Sequence, residues 1–340
     1  MTALHRLDPV ADVGGPHQPL LEVRDLTKHF PVRGGLIGPK PVARAVDGVS
    51  FAVAKGETLG VVGESGCGKS TTARLLMRLI EPDSGSLTFD GEAVGTRLGL
   101  SLRDLRRRVQ MVFQDSYASL NPRLTIADSL AFAPMVHGVS RRDAMEVAGD
   151  LLGRVGLDPT SFLGRYPHEL SGGQRQRVNI ARALALRPRL VILDEAVSAL
   201  DKSVEAQVLN LLVELKRQLD LTYIFISHDL NVVHYIADRV LVMYLGKVAE
   251  VGPVEAIYGR PAHPYTRALF SARLSMDPDA RTSAAPLQGD PPNPINPPSG
   301  CRFRTRCPHA TAVCAEREPA PVDLGGGHVV ACHLHEAAHA

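Results

Sequence analysis

The 340-residue sequence lacks three features, each of which would indicate a class of protein. It contains no uninterrupted apolar run near the roughly 20 residues that a helix needs to cross a bilayer, so we expect any membrane role to go through partner chains. Its formal net charge is only +2, which gives no global argument for nucleic-acid binding. Residues 1–19 lack the apolar core behind a basic region that marks a secretory signal, and we expect a disordered lead-in there.

Strand-like and helix-like segments alternate through most of the chain. Residues 20–62 read as short strands, which we expect to form an antiparallel layer. Apolar runs at 190–193 and 223–227 are typical of central parallel strands covered on both faces. Helical periodicity at 126–137 and 143–155 predicts an inserted helical lobe. The predicted fold class is therefore α/β, with a parallel sheet core, an antiparallel β subdomain and an inserted α-helical subdomain.

One glycine-rich turn, residues 63–71, matches the phosphate-binding pattern G-x-x-x-x-G-K-[ST]. Glycines let successive backbone N–H groups point at phosphate oxygens, and the N-terminus of the following helix adds a favourable dipole. Lys69 supplies a positive charge, and Ser70 can ligate Mg²⁺. The alternative is a chance glycine turn, which the strand before it and the helix after it disfavour. The predicted nucleotide-binding residues here are Gly63, Ser65, Gly66, Cys67, Gly68, Lys69, Ser70 and Thr71.

A second glycine-rich stretch, residues 34–39, predicts a mobile loop inserted among the first strands. Phe30 precedes this loop. Its aromatic face could stack on the adenine of a bound nucleotide, or the ring could simply fill the core of the small sheet.

Polar residues follow several of the predicted strands. Asp194 and Glu195 end an apolar strand, so both carboxylates emerge at the carboxyl edge of the sheet, where open α/β sheets bind ligands. Asp194 would hold Mg²⁺ through water beside Ser70, and Glu195 would polarise an attacking water; the alternative is a solvated turn. Gln114 can contact Mg²⁺ or water, and His228 can reach the γ-phosphate, although a lone Gln or His at a strand end is more often structural.

The most specific element is Leu170-Ser171-Gly172-Gly173-Gln174. Ser171 and Gln174 are spaced as a capping box, which leaves free N–H groups and the positive end of the helix dipole facing outward. Such a helix start is a second anion site besides the loop at 63–71. Two anion sites suit one nucleotide shared between two subunits, whereas the alternative is an ordinary capped helix.

Together these motifs resemble the nucleotide-binding subunits of ABC transporters. The resemblance covers residues 20 to about 260 and implies a RecA-like P-loop ATPase core. It also implies a head-to-tail dimer in which ATP lies between the P-loop of one subunit and Ser171–Gln174 of the other. One departure is Ala196-Val197, where the family usually has Pro-Thr; both carboxylates before it are intact. The matching elements are residues 63–71, Gln114, residues 170–174, Asp194-Glu195, Ser198-Ala199-Leu200-Asp201 and His228.

A narrower resemblance is to the ATPases of oligopeptide and dipeptide importers. It is carried by residues 114–122, His263-Pro264-Tyr265-Thr266 and the stretch from Gly300 onward. It implies an ATPase at the cytoplasmic face of the membrane, with two transmembrane permease subunits, a second ABC ATPase in a heterodimer and an extracytoplasmic substrate-binding protein, and without a nucleic-acid partner. The alternatives are an importer for another small cargo, such as nickel or glutathione, and a soluble ABC ATPase acting on DNA or ribosomes. The last would need paired cassettes or a coiled-coil insert, and neither is present.

The last part of the chain has a different composition, rich in proline and then in cysteine and histidine, which predicts a small irregular module. Cys301, Cys307, Cys314 and Cys332 supply enough thiolates for a zinc site or an iron–sulfur cluster. Their spacing lacks the C-x-x-C of zinc ribbons, and the resemblance favours a [4Fe–4S] cluster over zinc or free thiols. Cytosolic reduction argues against disulfides. The predicted domains are a lead-in at 1–19, an ATPase domain at 20–260 with a helical subdomain at about 115–185, and a C-terminal region at 261–340.

Overall fold

The computed structural model describes residues 12–15, 18–32, 41–271 and 292–336, so the loop predicted at 34–39 lies outside the described residues. The strands are β1 (Leu21–Pro31), β2 (Val42–Val53), β3 (Thr58–Val62), β4 (Ser84–Phe89), β5 (Glu92–Ala93), β6 (Val109–Val112), β7 (Leu190–Asp194), β8 (Thr222–Ile226), β9 (Arg239–Tyr244), β10 (Lys247–Pro253), β11 (Pro321–Asp323) and β12 (Val329–Ala331). The helices are α1 (Lys69–Leu76), α2 (Leu102–Arg108), α3 (Ile126–Val136), α4 (Arg141–Arg154), α5 (Pro159–Phe162), α6 (Gly172–Leu184), α7 (Lys202–Leu219), α8 (Leu230–Ile236), α9 (Val254–Gly259), α10 (Pro264–Ser271), α11 (Val313–Glu316) and α12 (His333–Glu336).

These elements fold into two compact units. The first consists of Met1–Leu21, Val53–Glu57 and Thr88–Ile226, and the second of Glu22–Ala52, Thr58–Leu87 and Ser227–Ala340.

The first unit has a parallel core of β6, β7 and β8. Val109 is opposite Leu190 in the first pair of strands, and Leu190 is opposite Thr222 in the second. Every residue of β7 and β8 is buried. The prediction of central parallel strands from the apolar runs is therefore confirmed.

Helices α3 to α6 form the predicted helical insertion of this unit. Helices α3 and α4 pack against each other, and α4 also contacts α5 and α6. The buried residues of α4 recur at helical spacing, which gives it one apolar face. All four helices begin at a side chain that accepts a backbone N–H of the first turn, namely Thr125, Ser140, Asp158 and Ser171.

Part of the predicted lead-in is attached to the first unit through Asp90. The backbone N–H groups of Val13 and Gly14 donate to the Asp90 carboxylate at 2.8 and 3.2 Å, and Lys55 lies 3.1 Å from it. Burial alone would raise the pKa of Asp90, but the bond from Val13 and the charges of Lys55 and Arg189 outweigh it and lower the pKa. The domain boundaries stay predictions.

The second unit contains the strand that precedes the glycine-rich loop. Strand β3 is parallel to β9, β9 is antiparallel to β10, and β10 is antiparallel to β12, which in turn pairs with β11. The turn between β9 and β10 falls at Leu245 and Gly246. A smaller sheet of this unit has the order β2, β1, β4. The C-terminal strands thus belong to the same sheet as β3.

A buried carboxylate, Glu250 on β10, joins the C-terminal segment to this sheet. It is fully buried and accepts the backbone N–H of Ala262 at 2.7 Å and that of His263 at 3.0 Å. The Nε2 atom of His328 lies 2.7 Å from the same carboxylate. Burial lowers the pKa of His263 to about 4, so its neutral ring accepts the N–H of Tyr265 at 2.9 Å.

Among the described residues, none of the helices combines the length and the apolar character that spanning a bilayer requires.

Replacing Glu250 tests whether this carboxylate stabilises the second unit. Glu250→Ala leaves two buried N–H groups and His328 without their acceptor, so we expect the free energy of unfolding to fall by about 3 kcal/mol. Urea denaturation measures this change. Glu255→Ala removes the same charge from an exposed position on α9 and should cost less than about 0.5 kcal/mol. Equal losses in the two variants would contradict the prediction.

Candidate functional site

The loop between β3 and α1 adopts a backbone path that glycine alone permits. Gly63 and Gly68 have φ angles of 149° and 109°. A Cβ atom on Gly63 would lie 2.2 Å from the carbonyl oxygen of Met243, and one on Gly68 would lie 2.2 Å from that of Ala45. Both glycines are therefore needed for close backbone packing, because no side chain fits at either position.

Lys69, the first residue of α1, turns its side chain into this loop. The residue is 5% exposed, and its Nζ donates to the carbonyl oxygens of Gly63 at 2.6 Å and Glu64 at 3.1 Å. Gly68, at the N-cap, has no side chain to occupy the N–H groups of the first turn. A buried ammonium group beside the start of a helix, where backbone N–H groups point outward, is an arrangement suited to phosphate.

His228 and Phe30, the other predicted site residues of the second unit, lie on different elements. His228 is exposed and follows Ser227, whose N–H donates to the carbonyl oxygen of Val61 in β3 at 3.3 Å. Phe30 is half-buried near the end of β1, with the Nζ of Lys28 5.7 Å from its ring centroid. The stacking of this ring on adenine stays a prediction.

The first unit brings Gln114 and Glu195 together. The Nε2 of Gln114 donates to Oε2 of Glu195 at 2.8 Å. Glu195 has a φ of 48°, in the left-handed region that non-glycine residues seldom adopt, and its N–H donates to the carbonyl oxygen of Ile226 at 3.0 Å. Asp194 ends β7 and is 3% exposed. Backbone strain at a carboxylate held by a polar neighbour is typical of functional sites.

The capping box predicted for Ser171 and Gln174 is present at the start of α6. Gln174 N–H donates to Ser171 Oγ at 3.3 Å, and Ser171 N–H donates to Gln174 Oε1 at 3.0 Å. A Cβ on Gly173 would lie 2.5 Å from Cγ1 of Val204 on α7. Ser171 and Gly172 are exposed, so this helix start is accessible to a partner or ligand.

Comparison with known proteins assigns these motifs to a family. Residues 46–198 match the family model for "ABC transporter", and residues 249–314 match that for "Oligopeptide/dipeptide transporter, C-terminal region". The chain is 53% identical to the probable peptide ABC transporter ATP-binding protein y4tS of Sinorhizobium fredii, over 93% of this chain and 90% of that protein. It belongs to the ATP-binding proteins of ABC transporters.

Other members of this family are similarly close. The chain is 50% identical to the oligopeptide transport ATP-binding protein AppF of Bacillus subtilis, over 93% of this chain and 97% of AppF. It is 49% identical to the di/tripeptide transport ATP-binding protein DppF of Pseudomonas aeruginosa, over 92% and 97% of the two chains. The solved structure of cbiO1 from Clostridium perfringens, part of the ABC transporter complex cbiONQ, has a TM-score of 0.60 at 27% identity, over 71% of this chain and 91% of that one. The predicted fold class is confirmed as that of an ABC ATPase.

Three side chains of α6 in this ABC ATPase bind the segment that follows Gln114, a connection that the sequence analysis missed. Asn179 Nδ2 donates to the carbonyl oxygen of Ser116 at 3.0 Å, and Arg182 donates to that of Ser119. The guanidinium of Arg175 lies 4.7 Å from the ring centroid of Tyr117. Arg175, Asn179 and Arg182 stand at positions i, i+4 and i+7 of α6, so they share one face of the helix. This spacing is the signal in the sequence that could have indicated the contact.

The four C-terminal cysteines of the ABC ATPase line one cavity of about 260 Å³ in the second unit. Burial raises the pKa of Cys301 and Cys307, and raises that of Cys332 to about 11. Within the described part of the chain, no group of three or more His, Cys, Asp or Glu side chains is arranged to hold a metal ion. The arrangement therefore does not support the predicted iron–sulfur cluster or zinc site.

Two glycines of the P-loop provide a matched test of its packing. In Gly68→Ala the new Cβ meets the Ala45 carbonyl oxygen, so we expect the free energy of unfolding to fall by about 3 kcal/mol. Gly66 has a φ of 78° but open space around its Cβ position. Gly66→Ala should therefore cost only about 1 kcal/mol, from the backbone conformation alone. Chemical denaturation of both variants measures the difference, and equal costs would contradict the packing argument.

Proposed function

We propose that this ABC ATPase hydrolyses ATP to power the import of oligopeptides or dipeptides through a membrane transporter. The observation that carries the proposal is the match of residues 249–314 to the oligopeptide/dipeptide transporter C-terminal region. Relatives that align over more than nine-tenths of both chains support it, since AppF is an oligopeptide transport ATP-binding protein and DppF a di/tripeptide transport ATP-binding protein. An ATPase subunit need not touch the cargo, so the proposal that the cargo is a peptide rests on family membership.

The proposed nucleotide site begins with the loop Gly63 to Thr71, whose N–H groups and Lys69 would bind the β- and γ-phosphates. Mg²⁺ would be held by Ser70, Gln114 and, through water, Asp194, since hydroxyl, amide and carboxylate oxygens are the donors this ion prefers. When bound, Mg²⁺ would neutralise the charge that develops on the phosphates. The buried carboxylate of Asp194 at the end of β7 supports this assignment.

Hydrolysis would proceed by in-line attack of water on the γ-phosphate. Glu195 would orient and polarise that water, and its hydrogen bond with Gln114 supports this role by fixing the carboxylate. His228 would contact the γ-phosphate, and Phe30 would stack on the adenine. The start of α6 would complete the site of a second subunit through Ser171, Gly172, Gly173 and Gln174. The capping box and the exposure of this helix start support that role.

The proposed assembly contains two permease subunits, a second ABC ATPase in a heterodimer and an extracytoplasmic substrate-binding protein. This chain would be peripheral, at the cytoplasmic face of the membrane. The support is family membership together with the accessible start of α6. Exposed aromatic side chains in the first unit, Tyr117 and Phe132, are suited to a permease contact.

The C-terminal cysteines carry a separate hypothesis. A [4Fe–4S] cluster, with zinc as the alternative, stays a prediction based on the four thiols that line one cavity. Iron and sulfide analysis after anaerobic purification decides between a cluster and free thiols, with Cys67→Ser as the control because Cys67 lies in the P-loop.

The role of Glu195 is tested by Glu195→Gln. The amide keeps the size of the side chain but cannot polarise water as a base, so we expect ATP hydrolysis to fall by about 100-fold or more. ATP affinity should stay within about twofold, because the phosphates are proposed to bind elsewhere. Glu214→Gln on α7, where the side chain is 47% exposed, is the control and should hydrolyse ATP at the normal rate. Unchanged hydrolysis in Glu195→Gln would remove Glu195 from this role.

The cargo is tested by uptake measurements in the source organism after deletion of the gene for this chain. We expect the uptake of labelled di- and oligopeptides to be lost and that of nickel and glutathione to be retained. Restoring the gene should restore peptide uptake, whereas a copy carrying Glu195→Gln should not. Normal peptide uptake with loss of nickel or glutathione uptake would refute peptide import. Co-purification from native membranes would identify the permeases and the second ATPase.

A further inference from the structure

A buried arginine from the C-terminal segment binds the P-loop. The guanidinium of Arg306 donates from NH1 to Oε2 of Glu64 at 2.8 Å and from NH2 to Oε1 at 3.1 Å. The side chain of Arg306 is 6% exposed and that of Glu64 is 20% exposed. This is a two-point ion pair shielded from solvent, a geometry that fixes both side chains.

The same P-loop residue is held a second time, through its backbone. The N–H of Glu64 donates to the hydroxyl oxygen of Tyr265 at 2.9 Å. Tyr265 is fully buried, and its ring packs against those of Tyr244 and Phe303 at centroid distances of 4.5 and 5.4 Å. Burial raises the pKa of Tyr265, so its hydroxyl is neutral under all ordinary conditions. Both anchors of Glu64 therefore come from residues beyond 260.

The charge of Glu64 makes the ion pair important for phosphate binding. Glu64 lies within the P-loop, and its carbonyl oxygen accepts the Nζ of Lys69 at 3.1 Å. A free carboxylate in this loop would repel a bound polyphosphate and would compete for the lysine. Arg306 occupies both carboxylate oxygens, so it cancels this charge and also restrains the loop.

We propose that Arg306 is a positioning residue for ATP binding, which acts by pairing with Glu64 while Tyr265 holds the backbone of the same residue. The proposal rests on the assignment of the P-loop as the ATP site. In this proposal the C-terminal segment affects the affinity for ATP. The effect does not require a metal in the cysteine cavity.

The first experiment measures the equilibrium binding of a fluorescent ATP analogue to the full chain. For Arg306→Ala we expect about a tenfold higher Kd, and for Arg306→Lys, which keeps the charge but loses the two-point geometry, an intermediate value. The matched control is Arg304→Ala, which removes the same charge from the same loop. Arg304 bonds to Ser299, at 2.9 Å to the carbonyl oxygen and 3.3 Å to the hydroxyl, and its replacement should leave Kd within about twofold.

A second variant separates charge cancellation from general stabilisation. In the double variant Arg306→Ala/Glu64→Gln, the carboxylate that lost its arginine is replaced by a neutral amide. We therefore expect ATP affinity to return to within about threefold of the wild-type value. Thermal unfolding without nucleotide is followed in parallel. A purely structural arginine would lower the melting temperature in both variants, and its Kd would not recover in the double variant.

Three results would overturn the inference: an unchanged Kd in Arg306→Ala, an equal effect of Arg304→Ala, or no recovery in the double variant. If Arg306→Ala does not fold, Tyr265→Phe, which removes only the hydroxyl, should still weaken ATP binding about threefold, and an unchanged Kd there would also overturn it. Failure of the wild-type chain to bind the analogue would instead refute the P-loop assignment itself. The two proposals can therefore fail separately.

Discussion

Close backbone contact around the P-loop is the constraint on which the second unit depends. Gly63 lies against the carbonyl oxygen of Met243 in β9, and Gly68 lies against that of Ala45 in β2. A side chain at either position would separate the loop from these strands. The contact fixes the loop between two strands, and the first turn of α1 then presents Lys69 and its N–H groups together. The backbone packing of the loop therefore decides how Lys69 and these N–H groups, which are proposed to bind phosphate, are held.

The C-terminal segment extends this constraint through charged groups. Strand β12 pairs with β10, and buried Glu250 on β10 receives N–H groups from Ala262 and His263. In the same segment, Arg306 donates hydrogen bonds to Glu64, and Arg302 donates to Asp47 and to the carbonyl oxygen of Leu245. Two buried arginines of one short loop thus bind the P-loop and the neighbouring strand β2. The two-point pair of Arg306 with Glu64 fixes the geometry of both side chains, which suits a loop that is proposed to hold phosphate in one arrangement.

The first unit places its functional groups by similar means. Glu195 has a left-handed backbone conformation and is held by Gln114 and by the carbonyl oxygen of Ile226. The segment after Gln114 is in turn bound by side chains of α6, the helix that begins at Ser171. A displacement of α6 would therefore act on the segment that carries Gln114. The helix start proposed to face a second subunit and the carboxylate proposed to act on water are connected through one set of contacts.

Local sequence patterns were enough to predict several features of this protein: two glycine-containing motifs and the buried strands of the sheet. The P-loop and the capping box of Ser171 and Gln174 are short-range patterns, and each can be recognised within nine consecutive residues. The buried strands β7 and β8 follow from continuous apolar runs. The pairing of Arg306 with Glu64, 242 positions apart, and the convergence of four cysteines on one cavity became visible only in the folded chain. No periodicity links charges so distant in the chain, because their meeting depends on how whole strands pair.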